Sequence, residues 1–452
     1  MQSSLRNLGQ LAAALASAKV TSRELVEGCL ARIAAADGEG ARTFLKVAHK
    51  QALAAADFHD AMRAQGATIG RYAGIPVSIK DLFDVVGDVT TAGSVVLRDS
   101  APAAQDAPAV ARLRAAGFVI VGRTNMTEFA FSGLGLNPHY GTPRNAWDRA
   151  TGRIPGGSSS GAAVSITDAM AFGALGTDTG GSCRIPAAMC GIVGFKPTAR
   201  RVPLTGAYPL SSSLDSIGPL ANTVACCAAL DAILAGEPGS TLPVATMANL
   251  RLAVPTSYVL DAMDADVSAA FQWALSTLGK AGASITEIPL QELDELPDIN
   301  RKGGFAPAEA YAHHREQMAA AGAQYDQRVY TRILRGREQD AADYIELRRR
   351  RLDFIERVTA AIGSYDAVLM PTVPIVAPTL DAFATDESYL RLNGLVLRNS
   401  SVVNFLDGCA ISIPCQEPGS APVGLTLFAS TNADRKLLAV AAAAEDCLQR
   451  NR

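Results

Sequence analysis

Two short loops, each rich in glycine and each carrying serine, hold the residues best suited to chemistry. The first is Pro155-Gly156-Gly157-Ser158-Ser159-Ser160-Gly161, and the second is Gly176-Thr177-Asp178-Thr179-Gly180-Gly181-Ser182-Cys183-Arg184-Ile185-Pro186. The glycines free the backbone for positive φ and let main-chain N–H groups point into an open space, a geometry that binds anions. Beside a serine hydroxyl, the anion can be the oxyanion of a tetrahedral acyl-transfer intermediate, where each fixed donor is worth about 3–4 kcal/mol of barrier. A serine needs a base. None of the five histidines, His49, His59, His139, His313 and His314, lies in a segment with a Gly-x-Ser-x-Gly nucleophile elbow. Lysine is the next candidate. Lys80 ends the stretch Gly74-Ile75-Pro76-Val77-Ser78-Ile79-Lys80-Asp81, whose apolar alternation predicts a half-buried strand. Base work at neutral pH requires burial and serine hydrogen bonds to bring its ordinary value of about 10.4 down by roughly three.

The elements around these loops must return the second serine to the place where the first began. Ala162 to Ala171 is mostly Ala, Val, Ile and Met, which predicts a buried helix packed closely on a sheet, and Ala171 to Gly176 predicts a short buried strand. Upstream, Phe44–Val47 reads as a strand and Gln51–Gln65 as a helix. Tyr72–Val86 supplies the Lys80 strand, Ala107–Ala116 a helix, and Phe118–Gly122 another strand. This alternation predicts an α/β fold with helices over a largely buried mixed sheet.

Taken together, these motifs resemble the amidase signature family. The match extends to Gly122-Arg123-Thr124-Asn125-Met126-Thr127-Glu128-Phe129-Ala130, to Gly194-Phe195-Lys196-Pro197-Thr198 and to Leu214-Asp215-Ser216-Ile217-Gly218-Pro219. The resemblance implies a central mixed β-sheet with helices on both faces, in a single domain over residues 1–452. Within it, 1–70 is a helical N-terminal region, 71–235 the core that carries the motifs, and 236–452 the part that completes the sheet and substrate pocket. It also implies a Ser–cis-Ser–Lys triad. Ser182 is then the nucleophile, Ser158 the bridging serine after a cis peptide bond, and Lys80 the base. The N–H groups of Thr179, Gly180, Gly181 and Ser182 form the oxyanion hole, while Asp178 and Arg184 hold the loops with Ser159 as a hydrogen-bond partner. Two positions depart from the family pattern: Ser160 replaces a glycine, and Cys183 stands where an aliphatic residue is usual.

Bulk properties narrow the field. A hydrophobic content of 48% and a charged content of 19% describe a well-filled globular core, and a net charge of −3 leaves no electrostatic footprint for nucleic acid or an anionic membrane. The eight cysteines, without C-x-x-C pairs or interleaved histidines, read as reduced, buried small residues and as no metal site. Leu8, Leu11 and Leu15 recur at helical spacing, and Thr21 with Glu24 forms a capping box before a second helix. With no run near 18 uninterrupted apolar residues, the reading is a cytoplasmic protein. In the loop 137–145, His139 and Tyr140 are candidates to touch substrate, against the plainer reading of solvated loop residues.

The later chain gives weaker signals. Gly236-Glu237-Pro238-Gly239-Ser240 suits a linker, Leu250–Ile288 a β-α-β unit, and Pro307–Ile362 a charged helical region. In the last, Arg348-Arg349-Arg350-Arg351 is interleaved by Ile345, Leu347, Leu352 and Ile355, which predicts a solvated helix face and not a nucleic-acid contact. Tyr365–Met370 and Val423–Phe428 read as strands rejoining the sheet. The stretch from about Thr379 to Val402 is expected to line the acyl pocket.

Three functions compete on these residues. The first is a free-standing amidase that takes a small-molecule amide and needs no cofactor; by family analogy it is a possible homodimer. The second is the glutaminase subunit of a tRNA-dependent amidotransferase. The third is a passive anion-binding protein, in which Lys80 has no special place.

Overall fold

The computed structural model describes residues 7–67 and 70–451. Eleven strands join in one sheet: β1 (Phe44–Val47), β2 (Pro76–Lys80), β3 (Val119–Thr124), β4 (Ala174–Asp178), β5 (Val193–Lys196), β6 (Ser216–Ala221), β7 (Arg251–Pro255), β8 (Ser284–Ile288), β9 (Ala367–Pro371), β10 (Cys409–Pro414) and β11 (Gly424–Ala429). Their order is β1-β3-β2-β4-β6-β5-β10-β11-β9-β7-β8. β2 runs parallel to its neighbours β3 and β4, and β7 parallel to β8 and β9; all other adjacent strands are antiparallel. The mixed sheet and the late strands that rejoin it are as expected.

Successive side chains on a strand point to opposite faces. On β2, Ser78 Oγ lies 2.9 Å from Ser165 Oγ in the helix Ser160–Thr167, so Lys80 shares the face under that helix. On the other face, Val77 and Leu175 meet Leu113 and Leu230 from the helices Pro108–Ala115 and Val224–Ala235. With both faces covered, all five residues of β2 are buried. The expected half-burial is therefore corrected: in the middle of a helix-covered sheet, polar residues are hidden as thoroughly as apolar ones. The helix Ser160–Thr167 packs this closely because Gly161 lacks a side chain; a Cβ there would stand 2.5 Å from the Thr43 carbonyl oxygen.

Nearer the termini, Thr21 caps the helix Ser22–Ala34 in the expected box with Glu24. The arginine run needs correction. It lies on the helix Ala341–Ile362, where Arg348 and Arg349 are exposed but Arg351 is buried. Arg351 donates to the carbonyls of Asn404 and Phe405 and to Asp407, and it lies over the rings of Phe305 and Phe405. Ile345 and Leu352, read as apolar interleaving, are instead 65% and 68% exposed.

Candidate active site

Because β2 and β4 are parallel, their C-terminal ends reach the same edge of the sheet. The pairs Ser78↔Ala174 and Ile79↔Leu175 then bring Lys80 alongside Gly176 and Thr177. Lys80 Nζ donates to Thr177 Oγ1 and to Ser158 Oγ, each at 2.8 Å. Burial pushes the Lys80 ammonium down to about 8, even though Cys183, Asp178 and Asp215 favour its charge. The Gly157–Ser158 peptide is cis. Ser159 ties the two loops together: its N–H donates to the Ser182 carbonyl and its hydroxyl to the Thr177 carbonyl, both at 3.4 Å. Ser182 lines a cleft. Among the described residues its hydroxyl makes no hydrogen bond, so Lys80 and Ser158 are joined directly while Ser182 is tied by its backbone carbonyl to Ser159, the residue after Ser158.

The second loop is fixed by a buried ion pair. Arg184 and Asp178 are both fully inaccessible, with Arg184 Nε on Asp178 Oδ2 at 3.0 Å and Arg184 Nη2 on Oδ1 at 2.9 Å. The same carboxylate accepts from Asn404 Nδ2 and from the N–H groups of Gly181 and Cys183. Burial works against the Asp178 charge, but the Arg184 guanidinium outweighs it and holds the carboxyl at about 2. The remaining valences of Arg184 go to the Ser400 carbonyl and Asn404 Oδ1, so no charge is left unsatisfied. Gly181 has φ 125°, and a Cβ there would collide with the Ser400 hydroxyl.

The expectation for the oxyanion donors changes in one respect. The Gly181 N–H is taken by Asp178 Oδ1, which gives it a positioning task. The N–H groups of Thr179, Gly180 and Ser182 have no acceptor among the described residues and remain available for a ligand.

Residues overlooked in the sequence complete this shell. Thr177 is the second partner of Lys80. Asp215 accepts from Thr179 Oγ1 at 2.5 Å and from the N–H groups of Leu210 and Ser211, and burial pushes its carboxyl up to about 6. Both residues sat in quoted motifs, but the two-residue strand period puts Thr177 on the face of Leu175, opposite Lys80, so it gave no signal for the contact made at the strand end. Asn404, from the helix Asp386–Phe405, opens the stretch Asn404–Pro414 that also resembles the family, but its partners Asp178 and Arg184 are more than two hundred residues away and no local pattern names them.

The cleft beside Ser182 has a volume of about 580 Å³. Asn393, Leu397 and Ser401 supply one wall, as expected for the stretch 379–402. Leu296 and Phe305, which precede the expected charged helical region, and Arg332 and Arg335, which lie within it, supply another. His139 and Tyr140 do not line it: His139 Nε2 lies 2.9 Å from Glu128 Oε1, and Tyr140 donates to the Ser94 carbonyl. The eight cysteines are free, all but Cys447 buried. No cluster of metal-ligating side chains occurs among the described residues, and no helix among them is long and apolar enough to cross a membrane.

Comparison with known proteins shows the family. The amidase family profile matches residues 24–438, so the chain belongs to the amidase family and is a hydrolase of amide carbon–nitrogen bonds. It is 38% identical to the 2-amino-5-chloromuconic acid deaminase of Comamonas testosteroni, with 86% of this chain and 85% of that protein covered. It is also 34% identical to a glutamyl-tRNA(Gln) amidotransferase subunit of Chromohalobacter salexigens, over 96% and 95% of the two chains. Among solved structures, a crystal structure of an amidase superposes with a TM-score of 0.87 at 30% identity, covering 97% of this chain and 99% of that one.

Proposed function

We propose that this enzyme hydrolyses a carboxamide to a carboxylate and ammonia or an amine through an acyl-enzyme on Ser182, with Ser158 and Lys80 as its proton relay. The observation that carries this reading is the buried Lys80 amine bonded to Ser158 Oγ, with the following residue, Ser159, bonded to the backbone of Ser182, which lines the cleft. Neutral Lys80 takes the Ser182 proton by way of Ser158 as Ser182 Oγ attacks the amide carbon. The oxyanion that forms is met by the N–H groups of Thr179, Gly180 and Ser182. The relay then returns the proton to the departing nitrogen as the carbon–nitrogen bond breaks. Water attacks the ester and delivers a proton along the same path, and the acid leaves as Ser182 is restored. Asp178, Arg184, Ser159 and Thr177 act by position, holding the two loops and the lysine. The free thiols fit a cytoplasmic location.

A second reading, the glutaminase component of a tRNA-dependent amidotransferase, is supported by the 34% identical relative of that name. Ammonia release by the purified chain separates the two, measured over L-glutamine, malonamide, indole-3-acetamide, benzamide and short aliphatic amides with Ser182→Ala as blank. Serine-dependent release from a non-glutamine amide is expected. Glutamine as sole substrate favours the amidotransferase reading.

A further inference from the structure

The cleft that holds Ser182 is one-sided in charge. Arg332, Arg335 and Arg398 line it, and among the described residues no aspartate or glutamate does. Arg398 is committed, donating to the carbonyls of Val259 and Asp261 and to Asn399 Oδ1. Arg332 and Arg335 are not. Among the described residues neither side chain meets a carboxylate or makes a hydrogen bond, and Arg332 Nε is buried without any partner. Burial is the main influence against the Arg332 charge; Tyr389 favours it, and the nearby Arg335 charge opposes it to a smaller extent. Arg335 is exposed, and both arginines also border a neighbouring recess that holds Asp326 and Asp386, but those carboxylates accept from the Arg328 N–H and Arg328 Nε, so the Arg332 and Arg335 donors stay open to an anion from outside.

The surroundings fix where that anion would sit. Arg332 lies in the last turn of the helix Gln327–Leu334, in one stripe with the buried Val329 and Ile333. Its guanidinium stands 4.7 Å from the centre of the Phe131 ring, which sets the plane of the fork. The start of the helix is anchored by the Asp326 N–H on Glu128 Oε2 at 2.7 Å, in the segment that leads to Phe131. Asn393, which lines the same cleft, accepts at its oxygen from Ser132 Oγ and the Gly133 N–H, each at 2.9 Å, and so keeps its amide donors for another partner. A planar fork with donors beside it matches a carboxylate.

We propose that Arg332 and Arg335 form a carboxylate-recognition site, and that the substrates are amides whose acyl part carries a negative charge, such as half-amides of short dicarboxylic acids. This inference rests on the amide-hydrolase reading. The absence of an acidic side chain from the described cleft lining disfavours acyl groups with a free ammonium, glutamine among them.

Binding and turnover test it separately. In Ser182→Ala protein, calorimetry compares succinamate, glutaramate and adipamate with their neutral diamides. At least one half-amide is expected to bind tenfold or more tighter than its diamide, with the advantage removed by Arg332→Gln, reduced by Arg335→Gln and partly kept by Arg332→Lys. Thermal melts of each variant check folding. Equal binding of charged and neutral partners, binding of neither, or a preference that survives both glutamine substitutions overturns the proposal. In Ser182-containing enzyme the preference appears in KM more than in kcat. Selective binding with no ammonia released from any amide would instead count against the hydrolase reading and leave the carboxylate site standing.

Discussion

Arg184, two residues beyond Ser182 in the second loop, and Arg332, in the wall of the cleft that Ser182 lines, differ in almost every physical respect. Arg184 is wholly buried, and its donors meet Asp178, Asn404 and a backbone carbonyl. Arg332 belongs to the cleft wall, where among the described residues it makes no hydrogen bond or ion pair and stands over the Phe131 ring. The first arrangement is complete without a ligand and serves to keep two loops in place. The second is incomplete, and that incompleteness suits a wall that selects substrate. The region that performs the reaction is therefore closed upon itself, while the region that chooses what reacts is left open.

The largest effects are expected on the closed side. Ser182→Ala should lower kcat by about 10⁴-fold or more, and Lys80→Ala by about 10³-fold, in steady-state ammonia release with folding checked by circular dichroism. The two arginines give the sharper contrast. Arg184→Met leaves the Asp178 carboxylate buried without its counter-ion and should cost about 3–5 kcal/mol in denaturant unfolding. Arg332→Met removes a charge that has no partner and should change stability by no more than about 1 kcal/mol in either direction. Similar losses at both positions would erase the distinction between the two regions.

The pH dependence follows from Lys80. Only its neutral form can accept the serine proton, and its burial places the transition near 8. kcat/KM should therefore rise with pH and level off above about 8, because acid protonates the base. The smallest expected effect is at Tyr140→Phe, which removes only a 3.4 Å hydrogen bond outside the cleft. Stability and kcat/KM should stay within about 0.5 kcal/mol of the parent.

This contrast also divides what sequence reading can reach. Ser158, Ser182, Lys80 and Asp178 lie in dense local motifs whose glycines and strand pattern have direct backbone meaning. The amidase fold follows from the same stretches. The far wall of the cleft is brought together from residues around 296–335 and 386–405 by packing alone. Arg332 did leave a trace, because Val329, Arg332 and Ile333 fall on one helical stripe and a charge there interrupts an apolar face. The run 348–351 misled for the opposite reason: its bulk suggested a solvated face, yet Arg351 turns inward to bind carbonyls at the end of the helix Asp386–Phe405. The task of Gly181 could not be read without coordinates, since its N–H could serve a ligand or Asp178.

The most direct measurement of the proposed chemistry is peptide-resolved mass spectrometry of fluorophosphonate labelling across pH, in the parent, Ser182→Ala and Lys80→Ala proteins. A single adduct on the peptide containing Ser182 is expected, forming faster as pH rises toward about 8, lost in Ser182→Ala and strongly slowed in Lys80→Ala. Labelling at another serine, or at Ser182 with a rate indifferent to both pH and Lys80, would contradict the lysine-driven acyl-enzyme.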